Sequence, residues 1–322
     1  MPDGRCGTWF GRRVGPVMSG QYGDGGTAGL VIRFDVGKVS LAIWFDGGKV
    51  SLAIWGGNIM GNKKMIDIHS HILPGLDDGV ESRQEALKAI KNLMKDDISG
   101  LIATPHTGQD RGIEPERVKE EISKLQTVLE QEKLDFMLYP GAELAIYPRL
   151  GRDIEKGKVL SLNEGSYLLV ELPGRFIPDF RSDVFYDLRV MGYKTILCHP
   201  ERNTALIKNP EYLYDWLEKG LYVQLNAGSL LGFYGRKVKN VAEIFVRKKY
   251  VQLMASDLHS GGRRSECMGT ALRRVRELAG PEMVELFQKN SWQVVKDGDL
   301  ERFEPERITG ESLLGWIKDL FA

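Results

Sequence analysis

The sequence from Met65 onward predicts an α/β protein whose parallel strands close into a seven-stranded barrel. Short apolar, β-branched runs alternate with longer stretches whose apolar residues recur at helical spacing. Alternating units of this kind give a parallel sheet, and seven strands favour a barrel over two separate sheets. Histidines and carboxylates follow six of the seven predicted strands. Barrel enzymes build their active sites at these strand ends.

The elements follow one another regularly along this part of the chain. Apolar, β-branched runs predict strands at 65–68, 100–104, 136–139, 167–171, 195–198, 222–225 and 251–255. Amphipathic stretches predict helices at 82–95, 115–131, 179–191, 210–219, 237–248, 265–279, 281–289 and 311–320. We therefore expect one domain over residues 65–322.

The first 64 residues differ from the rest, because they are rich in glycine and lack helical periodicity. They contain a tandem repeat, FDVGKVSLAIW at 34–44 and FDGGKVSLAIW at 45–55. Two copies are too few for a solenoid, which needs about three repeats to bury a core. Each copy contains one short strand candidate, at 39–44 and at 50–55, so one interpretation is a β-hairpin.

The interpretation that we favour for residues 1–64 is a disordered leader or one that is not native, with Met60 or Met65 as the native start. The segment is rich in glycine and has little regular alternation of apolar and polar residues, which favours this interpretation over a β-hairpin that docks on another surface.

Composition excludes several classes of protein. The chain has 44 basic and 44 acidic residues, so no overall positive charge points to a nucleic-acid partner or a polybasic membrane anchor. The three cysteines, Cys6, Cys198 and Cys267, are widely spaced and do not form a disulfide framework. No apolar run is long enough to span a bilayer, and no signal-peptide pattern begins the chain. We expect a cytoplasmic protein without direct membrane insertion.

All five histidines of the chain stand at or just after predicted strands, together with three carboxylates. A single histidine in such a place is more often a hydrogen-bonded core residue than a ligand. Because all five histidines are predicted to lie at the same face of the barrel, we instead predict a metal site. In the H-x-H pair, the side chains at i and i+2 of an extended segment point the same way and can reach one ion. The candidate ligands are His69, His71, His106, Glu143, Glu171, His199, Asp257 and His259.

The number and type of these donors predict more than one metal ion. Eight nitrogen and oxygen donors exceed one tetrahedral zinc site, and no cluster of thiolates is present. Mixed imidazole and carboxylate ligands suit manganese, iron or zinc in two or three adjacent sites, with Glu171 as a candidate bridge. Such clusters produce hydroxide at neutral pH and stabilise an in-line phosphoryl displacement. Hydrolysis of a phosphate ester by a metal-bridged hydroxide is therefore the predicted chemistry.

Two arginines and an aspartate complete the predicted site. Arg202 lies three residues after His199, and Arg264 follows His259 in a glycine-rich loop, so both could bind phosphate oxygens. Asp78 follows the H-x-H pair and is a candidate metal ligand or general acid, although a turn or helix cap would also explain it.

The motifs together resemble the PHP (polymerase and histidinol phosphatase) superfamily. The resemblance is strongest to its bacterial manganese-dependent protein-tyrosine phosphatases of capsule and exopolysaccharide loci, the CpsB/YwqE type. The motifs that carry it are MIDIHSHILPGLDDG, ATPHT, PGAEL, LVELP, LCHPER, LNAGSLLGFYG and ASDLH, in that order. The resemblance covers roughly residues 65–300.

The resemblance implies a fold, a cofactor and a substrate. The fold would be a distorted seven-stranded (β/α) TIM-like barrel, and the eight candidate ligands would hold a trinuclear centre, with manganese expected first and iron or zinc as alternatives. Arg202 and Arg264 match arginines that hold the substrate phosphate, and Asp78 matches an aspartate near the metals. The substrate would be phosphotyrosine in the tail of a bacterial tyrosine kinase that governs polysaccharide export.

Several alternatives remain open at this stage. A histidinol-phosphate or other small-phosphoester phosphatase would have almost the same metal site. The aromatic residues Phe176, Phe180, Phe233 and Tyr234 could line a phosphotyrosine pocket, although ordinary packing is the commoner role for such residues.

Three more distant alternatives are disfavoured. Amidohydrolases commonly bridge their metals with a modified lysine, where this chain has Glu171. A cysteine phosphatase motif, C-x5-R, occurs from Cys267 to Arg273, but it falls in a predicted helix whose apolar stripe would bury the thiol. A non-catalytic scaffold with a structural metal would usually have a closed tetrahedral ligand set.

Overall fold

The computed structural model describes residues 30–36, 39–46, 49–55, 64–108, 112–262, 264 and 267–308. The chain divides into two compact units, Met1–Asn62 and Lys63–Ala322. The helix predicted at 311–320 lies outside the described residues.

The first unit contains three strands, β1 (Leu30–Val36), β2 (Val39–Asp46) and β3 (Lys49–Trp55). They form an antiparallel sheet in the order β1-β2-β3. The two copies of the repeat pair with each other, with Ser40 opposite Trp55. The hairpin strands predicted at 39–44 and 50–55 lie within β2 and β3, whereas β1 was not predicted. The assignment of residues 1–64 to a disordered or non-native leader stays a prediction.

The second unit contains parallel strands separated by helices. The strands are β4 (Met65–Ser70), β5 (Ile98–Ala103), β6 (His106–Thr107), β7 (Met137–Pro140), β8 (Glu143–Ala145), β9 (Tyr167–Glu171), β10 (Lys194–Cys198), β11 (Tyr222–Asn226) and β12 (Leu253–Ala255). They form two sheets, in the orders β4-β5-β7 and β12-β11-β10-β9-β8-β6. The predicted α/β class with parallel pairing is confirmed.

The helices mostly agree with the periodicity of the sequence. They are α1 (Arg83–Lys95), α2 (Pro115–Gln131), α3 (Leu150–Glu155), α4 (Arg181–Val190), α5 (Thr204–Lys208), α6 (Glu211–Glu218), α7 (Ala227–Leu230), α8 (Arg236–Arg247), α9 (Met268–Ala279) and α10 (Pro281–Lys296). Helix α1 begins where Ser82 accepts a hydrogen bond from the Glu85 amide. The short helices α3, α5 and α7 were missed, because they span too few turns to show a period.

The predicted closed seven-stranded barrel is not confirmed, because the sheets of the described residues do not close. The second and third predicted strands correspond to β5 and β7, and each is followed after a short break by a further segment that was not predicted, β6 or β8, which joins the other sheet. Pro105 lies at the first break and has no amide hydrogen for the ladder. Gly141 lies at the second break, where a Cβ would come within 2.7 Å of Ile102 Cγ2. Each break places a polar residue, His106 or Glu143, at the start of its second segment.

The two sheets meet at the carboxyl end of β4. Ser70 forms a parallel bridge with Leu258, in the segment that follows β12. The amide of His71 donates to Leu258 O at 2.9 Å, and the amide of Asp257 donates to His69 O at 3.0 Å. These bonds fix the H-x-H segment beside Asp257.

Two buried apolar clusters support the second unit. The larger one joins the helices to the outer faces of the sheets. The smaller one combines residues of both sheets, such as Ile66 and Leu169, with Val294 of α10. Burial of these side chains on both faces of the strands holds the strand ends, and therefore the polar residues on them, in fixed positions.

No helix among the described residues is long and apolar enough to cross a membrane.

Removal of residues 1–63 should leave the second unit folded, because that unit has its own core and its first strand begins at Met65. We expect the midpoint of thermal unfolding to change by less than about 3 °C, which corresponds to about 1 kcal/mol for a chain of this size. Circular dichroism during heating measures this midpoint. The matched control removes residues 1–70, and with them β4, and should not unfold cooperatively. Loss of cooperative unfolding in the shorter truncation would show that the leader is part of the domain.

Candidate metal centre

The structure brings all eight predicted ligands together in one cluster. His69 lies near the end of β4, and His106 and Glu143 begin β6 and β8. Glu171 ends β9, His199 follows β10, and Asp257 follows β12. His199 and Asp257 both adopt positive φ angles, 33° and 50°. These conformations are uncommon for residues other than glycine and often mark functional sites.

The H-x-H pair forms the centre of the cluster. The Nε2 atoms of His69 and His71 lie 3.3 Å apart. Their Nδ1 atoms face acceptors, Gln224 Oε1 at 3.0 Å and Asp77 Oδ2 at 2.6 Å. With the proton on Nδ1, each neutral ring directs the lone pair of its Nε2 towards that of the other ring. Two facing lone pairs repel each other unless a cation lies between them.

Glu143 connects the two sides of the cluster. Its Oε2 lies 3.3 Å from the Nε2 atoms of His69 and His71 and 2.9 Å from His106 Nδ1. Its Oε1 lies 2.8 Å from His199 Nε2. Oε2 is buried without a partner of hydrogen-bond geometry, although these imidazoles surround it. A buried carboxylate oxygen of this kind suits a metal ligand, because burial without compensation is costly.

Asp257 lies on the other side of the H-x-H pair. Its Oδ1 is 3.5 Å from the Nε2 atoms of His69 and His71 and 3.4 Å from His259 Nδ1. Its Oδ2 accepts hydrogen bonds from Arg202 Nη1 at 2.9 Å and Asn226 Nδ2 at 2.7 Å. One carboxylate oxygen therefore faces the histidines while the other faces an arginine.

Asp78, His106 and His259 form the more exposed part of the cluster. Asp78 Oδ1 lies 3.3 Å from His106 Nε2 and 3.8 Å from His259 Nε2. The side chain of Asp78 is 64% exposed. This position favours a metal ligand or a proton donor over a simple helix cap, because the carboxylate faces two imidazoles.

The charges of the cluster depend on each other. Burial alone would raise the pKa of Glu143, but the neighbouring His69, His106 and His199 hold it well below its usual value. Burial also raises the pKa of Glu171, and the negative charge of Glu143 adds to that effect. Burial, with the positive charge of His71, lowers the pKa of His259 to about 4. The protein thus concentrates ionised carboxylates next to imidazoles that compete for protons.

The donors can be grouped into four overlapping sets whose ligand atoms lie within 4.8 Å of one another. These sets are His69, Glu143, Cys198 and His199; His71, Asp78, His106 and His259; His69, His71 and Asp257; and His106, Glu143 and Glu171. Because some residues belong to more than one set, the arrangement fits several adjacent metal ions better than a single ion. The residues present therefore fit a multinuclear metal cluster.

Side chains outside the ligand set orient the ligands, and most of them were not predicted. Asp77 Oδ2 also accepts from the His106 amide at 3.0 Å, so Asp77 rather than Asp78 fixes the ring of His71. Gln224 accepts from His69 and donates to Asn226 Oδ1 at 2.8 Å, and Asn226 donates to Asp257. A buried amide chain thereby connects two predicted ligands. The available signal was the pair of amides two positions apart in the otherwise apolar strand β11.

Cys198 is a further residue that was missed. Its Sγ donates to Glu143 Oε1 at 3.2 Å, and burial raises its pKa well above the usual value.

Cys267, by contrast, lies in the apolar core as predicted, where burial raises its pKa. Cys267 Sγ donates to Arg264 O, and Arg273 bonds Thr270, so this segment does not form a phosphate-binding loop.

Both predicted arginines lie beside the cluster. Arg202 and Arg264 are about one third exposed, and Arg264 Nη1 donates to Asp257 O at 3.1 Å. The guanidinium carbon of Arg202 lies 4.5 Å from the centre of the Tyr234 ring, and that of Arg264 lies 5.3 Å from it. An open cleft next to them is lined by Glu171, Gly174, His199, Arg202 and Asn203, among others.

The other aromatic candidates differ in their surroundings. Phe180 and Phe233 pack against the larger apolar cluster. Phe176 is 57% exposed, and its carbonyl accepts a hydrogen bond from Asn203 beside the cleft. Phe176 and Tyr234 therefore remain candidates for contact with substrate, whereas packing explains the other two.

Comparison with known proteins identifies relatives over most of the chain. A family model described as capsular polysaccharide synthesis, CpsB/CapC, matches residues 65–296. The chain is 32% identical to tyrosine-protein phosphatase YwqE of Bacillus subtilis, over 79% of this chain and all of that protein. It is 26% identical to tyrosine-protein phosphatase CpsB of Streptococcus pneumoniae, over 72% of this chain and 99% of that protein.

A solved structure supports the same relationship. The chain is similar, with a TM-score of 0.73 and 32% identity, to a structure described with YwqE and CpsB as unique metal-dependent tyrosine phosphatases. The similarity covers 76% of this chain and all of the other. The mixed α/β fold with parallel sheets is therefore shared with these proteins.

Replacement of Asp77 by asparagine should lower the affinity for metal about ten- to a hundred-fold, the usual effect of losing an outer partner of a histidine ligand. An amide cannot accept from both His71 Nδ1 and the His106 amide as well as the carboxylate does. Titration calorimetry of metal-free protein with Mn²⁺ measures the affinity.

The matched control is Asp135→Asn, at an exposed aspartate between α2 and β7, which should leave the affinity unchanged. Wild-type affinity in Asp77→Asn would show that Asp77 shapes only the turn.

Proposed function

The chain belongs to the CpsB/CapC family of capsular polysaccharide synthesis, and from this premise we propose that it is a metal-dependent protein-tyrosine phosphatase. The observation that carries the proposal is the convergence of eight nitrogen and oxygen ligands with two arginines at one edge of the sheets. The similarity to YwqE and CpsB, which are named as tyrosine phosphatases, supports phosphotyrosine as the substrate.

The proposed ligands are His69, His71, His106, Glu143, Glu171, His199, Asp257 and His259, with Asp78 beside them. Glu143 and Asp257 each have one oxygen that lies near the Nε2 atoms of both His69 and His71, so both carboxylates would be available to hold metal together with these histidines. Carboxylate oxygens and imidazoles make up the whole of this ligand set, which suits manganese, iron or zinc. Manganese is the proposed metal, with iron and zinc as alternatives. When bound, the ions supply the Lewis acidity that activates water and offsets the charge of the phosphoryl group.

The residues of the chain have separate roles in this proposal. Arg202 and Arg264 bind the phosphoryl oxygens: each guanidinium has five N–H groups, so the bonds to Asp257 leave others for the substrate. Asp77 and Gln224 hold the rings of His71 and His69 in the tautomer that directs Nε2 to the cluster. Asp78 is exposed at the edge of the cluster, where a protonated carboxyl could donate to the leaving tyrosyl oxygen.

The open cleft beside the cluster is compatible with a protein substrate. Its lining residues come from the carboxyl ends of β9 and β10 and from the segments that follow these strands, and the cleft is open, so a tyrosine on a flexible chain can enter from outside. A bacterial tyrosine kinase with phosphotyrosines in its tail is the proposed partner, in accord with the family's connection to capsular polysaccharide synthesis. Histidinol phosphate is the second candidate substrate, but the curated relatives favour phosphotyrosine.

Manganese-loaded protein should hydrolyse a phosphotyrosine peptide at least about ten-fold faster, in kcat/KM, than histidinol phosphate, a difference of about 1.4 kcal/mol in the activation barrier. Treatment with a chelator should abolish both activities, and added Mn²⁺ should restore them. Release of inorganic phosphate measures the rates. A preference for histidinol phosphate would reassign the substrate, and activity that persists without metal would contradict the metal-dependent mechanism.

Replacement of His69 by alanine should lower kcat more than about a hundred-fold, since it removes a ligand itself and not only a supporting partner. The measurement is peptide turnover together with metal content per chain. The control is Lys91→Ala, at a surface residue whose ammonium pairs with Glu132. Full turnover by His69→Ala would place the reaction elsewhere.

A further inference from the structure

Tyr234 lies close to both of the arginines that the proposed function assigns to phosphate binding. The guanidinium carbons of Arg202 and Arg264 are 4.5 Å and 5.3 Å from the centre of the same ring. Both distances are within the range in which a cation is attracted by the electron-rich face of an aromatic ring. Two chain segments that are 62 residues apart in sequence therefore share one aromatic contact.

The ring of Tyr234 occupies a defined place. A Cβ on Gly228 would lie 2.8 Å from Phe233 Cδ2 and 3.4 Å from Tyr234 Cε2, so the bare glycine leaves space for these rings. The Phe233 amide donates to Gly228 O at 2.9 Å, which folds the 232–235 segment back on α7. The hydroxyl of Tyr234 lies 3.5 Å from Asp257 Oδ2.

A buried glutamate connects this segment to the arginine loop. Glu201 is fully buried, and its Oε1 accepts from Ser229 Oγ at 2.6 Å and from the Asn226 amide at 3.1 Å. Arg202 is the next residue. Arg202 and Tyr234 therefore belong to segments that are fixed relative to each other before substrate binds.

Two guanidinium groups that converge on one phosphate repel each other, and each arginine loses rotamer freedom when it is held in place. The ring of Tyr234 offsets both effects, because it attracts both cations and restricts both side chains in the absence of substrate. We propose that Tyr234 is a positioning residue that holds Arg202 and Arg264 in the arrangement that binds the phosphoryl group. This proposal rests on the proposed function for the assignment of the arginines to phosphate.

The aromatic ring, and not the hydroxyl group, has this role, so two substitutions separate the contributions. Tyr234→Phe keeps the ring, and Tyr234→Leu removes it while leaving an apolar side chain. In Tyr234→Leu we expect KM for a phosphotyrosine peptide to rise about ten-fold, as loss of two cation–π contacts predicts, with a smaller change in kcat. Tyr234→Phe should restore KM to within about two-fold of wild type.

Inorganic phosphate provides the second readout, because it binds the arginines but has no aromatic ring. Its affinity for manganese-loaded protein, measured by titration calorimetry, should fall in Tyr234→Leu by about the same factor as the peptide's KM rises. Metal content per chain should not change. The matched control is Tyr186→Leu, which removes an exposed tyrosine beside Arg189 on α4, outside the cluster. It should leave both constants unchanged.

Several outcomes would overturn the proposal. An equal effect of Tyr234→Phe and Tyr234→Leu would assign the role to the hydroxyl. A higher KM for the peptide with unchanged phosphate affinity would mean that Tyr234 contacts the aromatic ring of the substrate and does not position the arginines. Loss of metal in Tyr234→Leu would mean that the residue acts through Asp257. Should Tyr234→Leu not fold, Tyr234→Met, which is also non-aromatic, must give the same rise in KM for the peptide and the same loss of affinity for phosphate.

The calorimetric measurement does not depend on the substrate. If wild-type protein binds phosphate in a manner that requires the ring but does not hydrolyse phosphotyrosine, the positioning role stands and the proposed function fails. If wild-type protein hydrolyses the peptide, and Tyr234→Leu has the wild-type KM for the peptide and the wild-type affinity for phosphate, the function stands and the positioning role fails.

Discussion

The close approach of several imidazoles and carboxylates inside the protein is the constraint on which the site depends. His69 and His71 direct their Nε2 atoms to within 3.3 Å of each other, with Glu143 Oε2 at 3.3 Å from both. Without an ion, protons on the imidazoles must offset this concentration of donors: hydrogen bonds to Asp257, Asp77 and Glu143 outweigh burial and raise the pKa of His71 well above its usual value. Metal binding would replace these protons, so the affinity for metal should depend on pH.

This constraint explains the irregular parts of the fold. A regular ladder through β5 and β7 would not begin a new segment at His106 and at Glu143, and the breaks at Pro105 and Gly141 bring these residues to the cluster. The positive φ angles of His199 and Asp257 have a similar effect at the ends of β10 and β12. The strain is tolerated because the apolar clusters beneath the strands are fully buried and hold the strand ends in place.

The sequence was sufficient to predict the parallel α/β class and the convergence of the eight donors, because strand ends follow directly from local apolar runs. It was not sufficient to predict whether the barrel closes. That depends on hydrogen bonds between segments far apart in sequence, such as Ser70 with Leu258. The roles of Asp77 and Gln224 were missed for a similar reason. Which carboxylate of the Asp77–Asp78 pair faces His71 depends on the turn, and the two amides of β11 do not by themselves indicate which side chain Gln224 contacts.

In the proposed function, Asp257 connects metal binding to substrate binding. One of its oxygens faces His69, His71 and His259, and the other accepts from Arg202 and Asn226. The arginine therefore offsets part of the negative charge of the carboxylate, and under the proposed function a shift of Arg202 on binding phosphate would change that charge. Residues connected in this way give non-additive effects when they are changed together. Under the proposed function the inner cluster would suit any phosphate ester, so discrimination between substrates would come from the cleft residues after β9 and β10, near which Phe176 is exposed and its carbonyl accepts a hydrogen bond from Asn203.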